Sequence, residues 1–136
     1  MIDELMIIDK AGIPLYYHNF LRKGYIDDNF HLIASFLDQI SRFTRAAFKD
    51  YLNMIEWKDK IFFFYIHKKT EFLLILKCDN TKIENKEIIK KSLDIIANNL
   101  FKRFLLKFKE VLEDFRGDVS QFKTFSEEID KMFKLK

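Results

Sequence analysis

Two apolar segments, Ile61–Ile66 and Phe72–Leu76, constrain the fold more than any other feature, and only the polar stretch HKKTE separates them. In each segment neighbouring residues are both apolar, and the same holds for Leu5–Ile8. Because successive side chains of a β-strand point to opposite faces of a sheet, both faces of these strands must be covered. The sequence therefore predicts three central strands in a sheet that has helices on both sides.

Two more strands are predicted at the edges of this sheet. The turn Asp9–Gly12 joins the first strand to IPLYYHNF, whose Pro14 cannot donate a hydrogen bond to a neighbouring strand. The segment Tyr51–Trp57 alternates imperfectly between apolar and polar residues, which also favours an edge. Because these two mixed strands must both lie at edges, the predicted strand order is 2-1-5-4-3.

A first helix is predicted between the second and third strands. Asp27 or Asp28 is expected to cap its N-terminus, and it should end near Lys49 or Asp50. Its apolar residues at helical spacing are Phe30, Ile33, Leu37, Ile40 and Thr44, with Phe36, Phe43 and Ala47 widening the stripe. This stripe is expected to pack on the sheet.

Two further helices are predicted after the last strand. Thr81 and Glu84 have the spacing of a capping box, and Gly117 is expected to end the long helix that follows. A helix of that length would overhang the sheet, so a break near 98–99 is expected. The final helix is predicted from the apolar spacing around Ile129.

These elements predict an α/β protein, a three-layer α/β/α sandwich around a five-stranded, mainly antiparallel sheet with the topology ββαβββαα. Residues 1–136 are expected to form a single domain, because one Pro and three Gly leave little room for linkers. Sixteen phenylalanines supply an aromatic core. Each contributes roughly 1.5–3 kcal/mol when fully buried, which is ample for one small domain.

The element order and the N-terminal stretch MIDELMIIDKAGIPLYYHN resemble the longin fold. The resemblance is carried by an apolar strand, an Asp-x-x-Gly turn at Asp9–Gly12, and a second strand that runs into the aromatic residues Tyr16 and Tyr17. It covers essentially the whole chain at the level of the fold. The related roadblock domain usually opens with a helix, whereas this sequence opens with a strand.

The resemblance implies a non-catalytic interaction module. Stand-alone longin domains are similar to sedlin-like subunits of TRAPP tethering complexes and to the small subunits of clathrin adaptors, and others act with Ras-like small GTPases. The implied role is a subunit of a vesicle-trafficking or small-GTPase regulatory assembly. Longin SNAREs are disfavoured, because no SNARE coiled coil follows before Lys136. The implied partner is a longin- or roadblock-type subunit or a Ras-like GTPase, in a homo- or heterodimer.

The residue pattern does not predict an enzyme, a metal site or a cofactor. The three histidines lie far apart in the sequence, and no glycine-rich loop is present to hold phosphates. Cys78 is the lone cysteine and has no histidine at motif spacing, so it is predicted to be a small buried apolar residue. A hydrolase or transferase assembled from distant residues is disfavoured for the same reasons.

The candidate partner-binding surface combines the first helix with the third strand. An edge strand exposes unpaired N–H and C=O groups, and Trp, Tyr and Arg are enriched among interface anchors. On these grounds the predicted partner-binding residues are Arg42, Phe43, Arg45, Tyr51, Asn53, Ile55 and Trp57. The last four have the same parity on the predicted third strand.

The charge distribution gives weaker indications. A formal net charge of +3 is too small to predict nucleic-acid binding. Basic residues are interspersed with phenylalanines around Lys102 and Arg103, so a peripheral membrane contact is an alternative to an ordinary solvated face. A lone cysteine and the lack of a secretory signal favour the cytoplasm.

A second function class is a small-molecule sensor. PAS and GAF-like domains share the 2-1-5-4-3 sheet order, and the aromatic core predicted here could line a ligand cavity. Such a role requires a cavity of roughly 300 Å³ or more within the fold.

Overall fold

One five-stranded antiparallel sheet organises the chain in the computed structural model, which describes residues 2–22 and 28–133. The strands are β1 (Ile2–Ile8), β2 (Pro14–Asn19), β3 (Met54–Trp57), β4 (Lys60–His67) and β5 (Phe72–Asp79). The helices are α1 (Phe30–Phe48), α2 (Lys86–Lys107), α3 (Lys109–Glu113) and α4 (Phe125–Phe133). Short 3-10 helices cover Asn80–Lys82 and Val119–Thr124.

The strand order is β2-β1-β5-β4-β3, which confirms the predicted order and the predicted edge strands. All four neighbouring pairs are antiparallel. Pro14 opens the edge strand β2, where it does not interrupt the central part of the sheet. The third strand is shorter than predicted, because it begins at Met54 and not at Tyr51.

The central strands bury side chains on both faces, as their sequences predict. Leu5, Ile7, Leu74 and Leu76 belong to one apolar cluster. The alternating residues belong to a second cluster, whose strand members are Met6, Ile8, Phe64, Leu73 and Ile75. The first cluster also contains residues of α2 and α4, whereas the second contains residues of α1.

The C-terminal helices differ from the prediction in their boundaries. α2 runs unbroken through 98–99, and the expected break lies instead at Phe108, after which the five-residue α3 follows. α2 is capped by Asn85, whose side chain accepts a hydrogen bond from the Ile88 N–H at 3.1 Å, and not by the predicted capping box. Gly117, with φ +98°, lies beyond the end of α3.

The predicted caps of α1 were also wrong or lie outside the described residues. Asn29 occupies the N-cap position and makes no side-chain capping hydrogen bond, so Asp28 is not the cap. Asp27 lies outside the described residues. At the other end, Lys49 adopts a left-handed conformation and its N–H bonds the Arg45 carbonyl, which ends the helix where it was expected to end.

Candidate functional site

An apolar groove of about 480 Å³ lies between α1 and the edge strand β3. Its walls are formed by Leu32, Ile33, Phe36, Leu37, Ile55, Trp57, Lys60 and Phe62. Lys60 is the one charged residue among these eight, so the walls are almost wholly apolar. Trp57 is 61% exposed, and the groove therefore opens to solvent.

The groove exists because one helix cannot cover a five-stranded sheet. Neighbouring strands are about 4.8 Å apart, whereas a helix with its side chains is only about 10 Å wide. α1 buries Phe30, Ala34 and Leu37 against the central strands. Ile55 and Phe62, which are paired across β3 and β4, remain only partly buried beside that cluster.

An exposed apolar stripe on α1 extends from the groove. Leu32, Phe36 and Phe43 are all exposed, and their spacings of four and seven residues place them on one side of the helix. The ring of Phe43 meets that of the exposed Phe48 edge-on, with centroids 6.2 Å apart. These four side chains and the groove residues are called the α1–β3 surface below.

The prediction that Phe36 and Phe43 widen the buried stripe of α1 was wrong. The side of α1 that meets the sheet comprises Phe30, Ala34, Leu37, Asp38 and Ser41. Small and polar residues thus occupy sheet-facing positions, and Asp38 among them accepts a hydrogen bond from Arg42 of the same helix.

Arg42 ties α1 to the β1–β2 turn. Its Nε donates to Asp38 Oδ2 at 2.8 Å, and a terminal guanidinium nitrogen donates to the Lys10 carbonyl. Asp38 is buried, so its charge requires this partner. Arg42 therefore has a structural role that the sequence did not predict, while its part in partner binding stays a prediction.

Arg45 lies one helical turn further on, near the β4–β5 turn. One of its terminal nitrogens is 4.0 Å from a carboxylate oxygen of Glu71, which also pairs with Lys10 at 3.1 Å. Arg45 Nε is buried and has no hydrogen-bond partner. The Arg45 guanidinium thus makes only a long contact with Glu71, and the Arg45 side chain is 25% exposed.

Tyr51 and Asn53 precede β3. The Asn53 carbonyl accepts a hydrogen bond from the Phe64 N–H at 2.9 Å, one position beyond the pairing of Met54 with Phe63. Tyr51 is exposed, and the Lys68 ammonium lies 5.4 Å from the centroid of its ring. Tyr51, Asn53, Ile55 and Trp57 were predicted to share one face of the third strand, but only Ile55 and Trp57 lie within β3.

Six groove residues were not among the predicted partner-binding residues: Leu32, Ile33, Phe36, Leu37, Lys60 and Phe62. The signal for them was present, because α1 carries more apolar residues than one buried face needs. The sequence did not predict the rotation of α1 about its axis, which depends on how the helix packs on the sheet.

A second, smaller cavity of about 170 Å³ lies where β4 extends past the end of β3. Lys90 of α2 closes part of it, since Nζ donates to the Phe64 carbonyl at 2.8 Å and lies 3.5 Å from the centroid of the Tyr65 ring. Tyr65 in return donates its hydroxyl to the Lys90 carbonyl at 2.8 Å. Burial lowers the pKa of Lys90 and the nearby carboxylate of Asp94 opposes that shift.

The titratable residues that sequence reasoning considered for chemistry lie apart from one another. Cys78 is fully buried, and burial raises the pKa of its thiol to about 11. His67 Nδ1 is 2.8 Å from the Thr70 hydroxyl oxygen, and the Tyr16 hydroxyl oxygen is 2.9 Å from His18 Nδ1. Over residues 2–22 and 28–133, no cluster of three or more His, Cys, Asp or Glu side chains could hold a metal ion.

No helix in the described part of the chain is both long enough and apolar enough to cross a membrane. Comparison of the chain with models of known protein families, and with curated proteins, finds no match.

Proposed function

We propose that this chain is a non-catalytic protein-interaction module of longin-like architecture, acting in the cytoplasm as a subunit of a vesicle-trafficking or small-GTPase regulatory assembly. In this proposal the two apolar clusters are the interfaces of a three-layer α/β/α sandwich with the longin topology ββαβββαα, to which α3 is a short addition. The 2-1-5-4-3 sheet supports the longin resemblance, which rests on the fold alone.

The observation that carries the proposal is the α1–β3 surface. Leu32, Phe36, Phe43, Phe48 and Trp57 are large apolar side chains that make little contribution to the core. Each would contribute up to roughly 1.5–3 kcal/mol if a partner buried it fully. Contiguous exposed apolar surface next to a groove is typical of a protein-binding site.

The edge strand offers the partner a second kind of contact. β3 is paired only with β4 among the described strands, so its outer N–H and C=O groups are available for another strand. A partner that lies along β3 would cover Trp57 and the groove at once. A stable complex buries roughly 800 Å² on each side, and a groove flanked by five exposed apolar side chains is consistent with that size.

The proposed mechanism is therefore docking. We infer that a longin- or roadblock-type chain, either a second copy or a related protein, packs on α1 and continues the sheet at β3. A Ras-like GTPase would bind the resulting assembly. The sensor alternative has less support, because the larger cavity opens to solvent and the smaller one is below the roughly 300 Å³ of typical ligand sites.

Analytical ultracentrifugation of the purified chain, together with affinity capture from native extract, tests this function. We expect self-association or a stoichiometric protein partner, and loss of either in the double variant Phe36→Glu/Trp57→Glu. The matched control is the double variant Leu21→Glu/Leu106→Glu, which places the same two negative charges on exposed residues outside the α1–β3 surface. A strict monomer that captures no small GTPase and no longin-type chain would contradict the proposal.

A further inference from the structure

The outer face of α2 carries a line of exposed aliphatic residues that the fold does not use. Ile88, Ile95 and Leu106 are 60%, 75% and 75% exposed. They are spaced seven and eleven residues apart, close to two and three whole helical turns, so all three lie along one line. The opposite side of α2 faces the core through Leu93, Ala97, Leu100, Phe101 and Phe104.

The same helix holds the positive charge of the chain. Its six basic residues are Lys86, Lys90, Lys91, Lys102, Arg103 and Lys107, and its acidic residues are Glu87 and Asp94. Its net charge is thus +4, whereas the whole chain carries +3, so the remainder has a charge of −1. The excess is local and not spread over the surface.

The cations are placed beside the aliphatic line. Lys91 precedes Ile95 by four residues and Lys102 precedes Leu106 by four, so each lysine lies one turn from an exposed aliphatic side chain. Lys91 and Lys102 are exposed on one flank of the line. Arg103 lies on the other flank, where it pairs with Glu128 at 3.2 Å.

The acidic residues of α2 lie away from the line. Glu87 and Asp94 are seven residues apart and about a quarter to a third of a turn round the helix from it. Lys86 pairs with Glu56 of β3 and Lys90 bonds the Phe64 carbonyl, so both are held towards the sheet. Glu87 and Asp94 are exposed and lie one turn from Lys91, whereas no acidic residue of α2 lies within one turn of Lys102. Both lysines lie nearer to the aliphatic line than either carboxylate.

The spacing of the aliphatic residues indicates what they contact. At a rise of about 1.5 Å per residue, neighbouring members of the line are roughly 10 and 16 Å apart on a convex surface. A protein interface buries a contiguous, closely packed patch, which three separated side chains do not provide. Nucleic acid is held mainly through contacts between cations and phosphates and, where it is single-stranded, through aromatic stacking, and neither makes use of exposed Ile and Leu side chains.

A lipid surface fits both the aliphatic line and the charge. The fluid boundary between headgroups and acyl chains accepts isolated aliphatic side chains, while flanking lysines contact lipid phosphates. We propose that α2 lies parallel to an anionic membrane surface, with Ile88, Ile95 and Leu106 inserted below the headgroups and Lys91 and Lys102 among them. This proposal stands independently of the partner proposed for the α1–β3 surface.

Co-sedimentation with vesicles tests the membrane contact. We expect binding to vesicles that contain about 30% phosphatidylserine in phosphatidylcholine, little binding to phosphatidylcholine alone, and weakening as salt is raised. The variant Lys91→Gln/Lys102→Gln should bind at least tenfold more weakly, since each lysine near an anionic surface contributes about fivefold. The variant Ile88→Ser/Ile95→Ser/Leu106→Ser should lose binding although its lysines remain.

The control is Leu21→Ser, which removes an exposed apolar residue outside both α2 and the α1–β3 surface and should bind vesicles as the unmodified chain does. Equal binding of the aliphatic variant and the unmodified chain would overturn the proposal. So would equal binding to neutral vesicles, or preferential binding of duplex or single-stranded nucleic acid.

Fluorescence gives a second readout that does not depend on a loss of binding. Trp57 is the single tryptophan and lies on the α1–β3 surface, so its emission should not change when vesicles are added. In the variant Trp57→Phe/Ile95→Trp the reporter lies on the aliphatic line, and its emission should shift to shorter wavelength on anionic vesicles. A shift of Trp57 with none at position 95 would place the membrane on the wrong side and overturn the proposal.

Discussion

At the residue scale, Gly12 permits the β1–β2 turn to touch α1. Its φ of +86° lies in the left-handed region, and a Cβ at this position would be 2.9 Å from Asp38 Oδ2. Asp9 supports the same turn, since its side chain accepts from the N–H groups of Ala11 and Ile13 at 2.9 Å. Glycine is thus favoured at position 12 by the positive φ and also by the lack of room for a Cβ beside Asp38.

Replacing Gly12 by alanine should lower the free energy of unfolding by roughly 2–3 kcal/mol, because backbone strain and the contact with Asp38 add together. Gly117→Ala is the matched control, as Gly117 also has a positive φ of +98° but has nothing within 4 Å of an added Cβ. Its cost should be only about 1 kcal/mol. Urea denaturation measures both; equal losses would mean that Asp38 moves aside without cost.

At the element scale, the segment before α2 contains two capping residues. Asp79 caps the 3-10 helix Asn80–Lys82, and Asn85 caps α2. Asp79 accepts hydrogen bonds from the Thr81 N–H at 2.9 Å and the Thr81 hydroxyl at 2.6 Å, and this nucleates the 3-10 helix Asn80–Lys82. Thr81 is therefore a partner of Asp79 and not the first residue of a capping box. α2 begins after Asn85, whose side chain accepts from the Ile88 N–H.

This arrangement predicts opposite outcomes for two neighbouring substitutions. Asn85→Ala removes the cap of α2 and should lower the unfolding free energy by about 1 kcal/mol. Glu84→Ala removes the carboxylate of the predicted capping box, which is not formed, and should change stability by less than about 0.5 kcal/mol. Thermal unfolding followed by circular dichroism distinguishes them. A larger loss in Glu84→Ala than in Asn85→Ala would mean that the capping box forms in solution.

The central strands could be predicted from the sequence, whereas the rotation of α1 and the start of β3 could not. The central strands were predictable because residues such as Met6 and Ile7 are neighbours and both apolar, which requires cover on both faces. The rotation of α1 was not, because Phe36 and Leu37 are both large and apolar, and packing between elements decides which of them faces the sheet. The start of β3 was missed because Tyr51 is a residue type common in strands, whereas regular pairing with β4 begins only at Met54.

The candidate site shows the same division. An exposed Trp57 on an edge strand was predictable from residue type and strand order. The structural role of Arg42 was not predictable, because the hydrogen bond from its guanidinium to the Lys10 carbonyl joins residues 32 positions apart, which no local pattern reveals. The groove itself results from the mismatch between one helix and five strands, and this becomes visible only when α1 is placed.

At the scale of the whole molecule, three buried ionisable groups belong to one apolar cluster. Cys78, Tyr16 and Tyr65 all lie in the cluster that α2 and α4 share with the sheet. Burial raises the pKa of each, that of Cys78 to about 11, and the carboxylates of Asp130 and Asp94 add to the effect on the two tyrosines. These groups stay protonated in the folded chain at pH values where the unfolded chain has begun to lose the same protons.

The sign of the resulting pH dependence follows from proton release. The Cys78 thiol has an ordinary pKa of 9.0 when unfolded and about 11 when folded, so its contribution to stability is fully present below about pH 9. As the pH rises through 11 the contribution is lost, and the tyrosines begin to act in the same direction above their ordinary value of 10.0. Lys90 acts in the opposite direction, since burial lowers its pKa.

The unfolding free energy should therefore fall between pH 9 and pH 11, with about 2 kcal/mol of the fall due to Cys78. Cys78→Ala isolates this part together with the contribution of Cys78 to the raised pKa of Tyr65, because Tyr16 and Lys90 are unchanged and cancel in the comparison. The variant should be less stable than the unmodified chain at neutral pH but should lose about 2 kcal/mol less between these pH values. Denaturant unfolding at a series of pH values measures the two slopes, and parallel slopes would mean that the thiol ionises in the folded chain as readily as in the unfolded one.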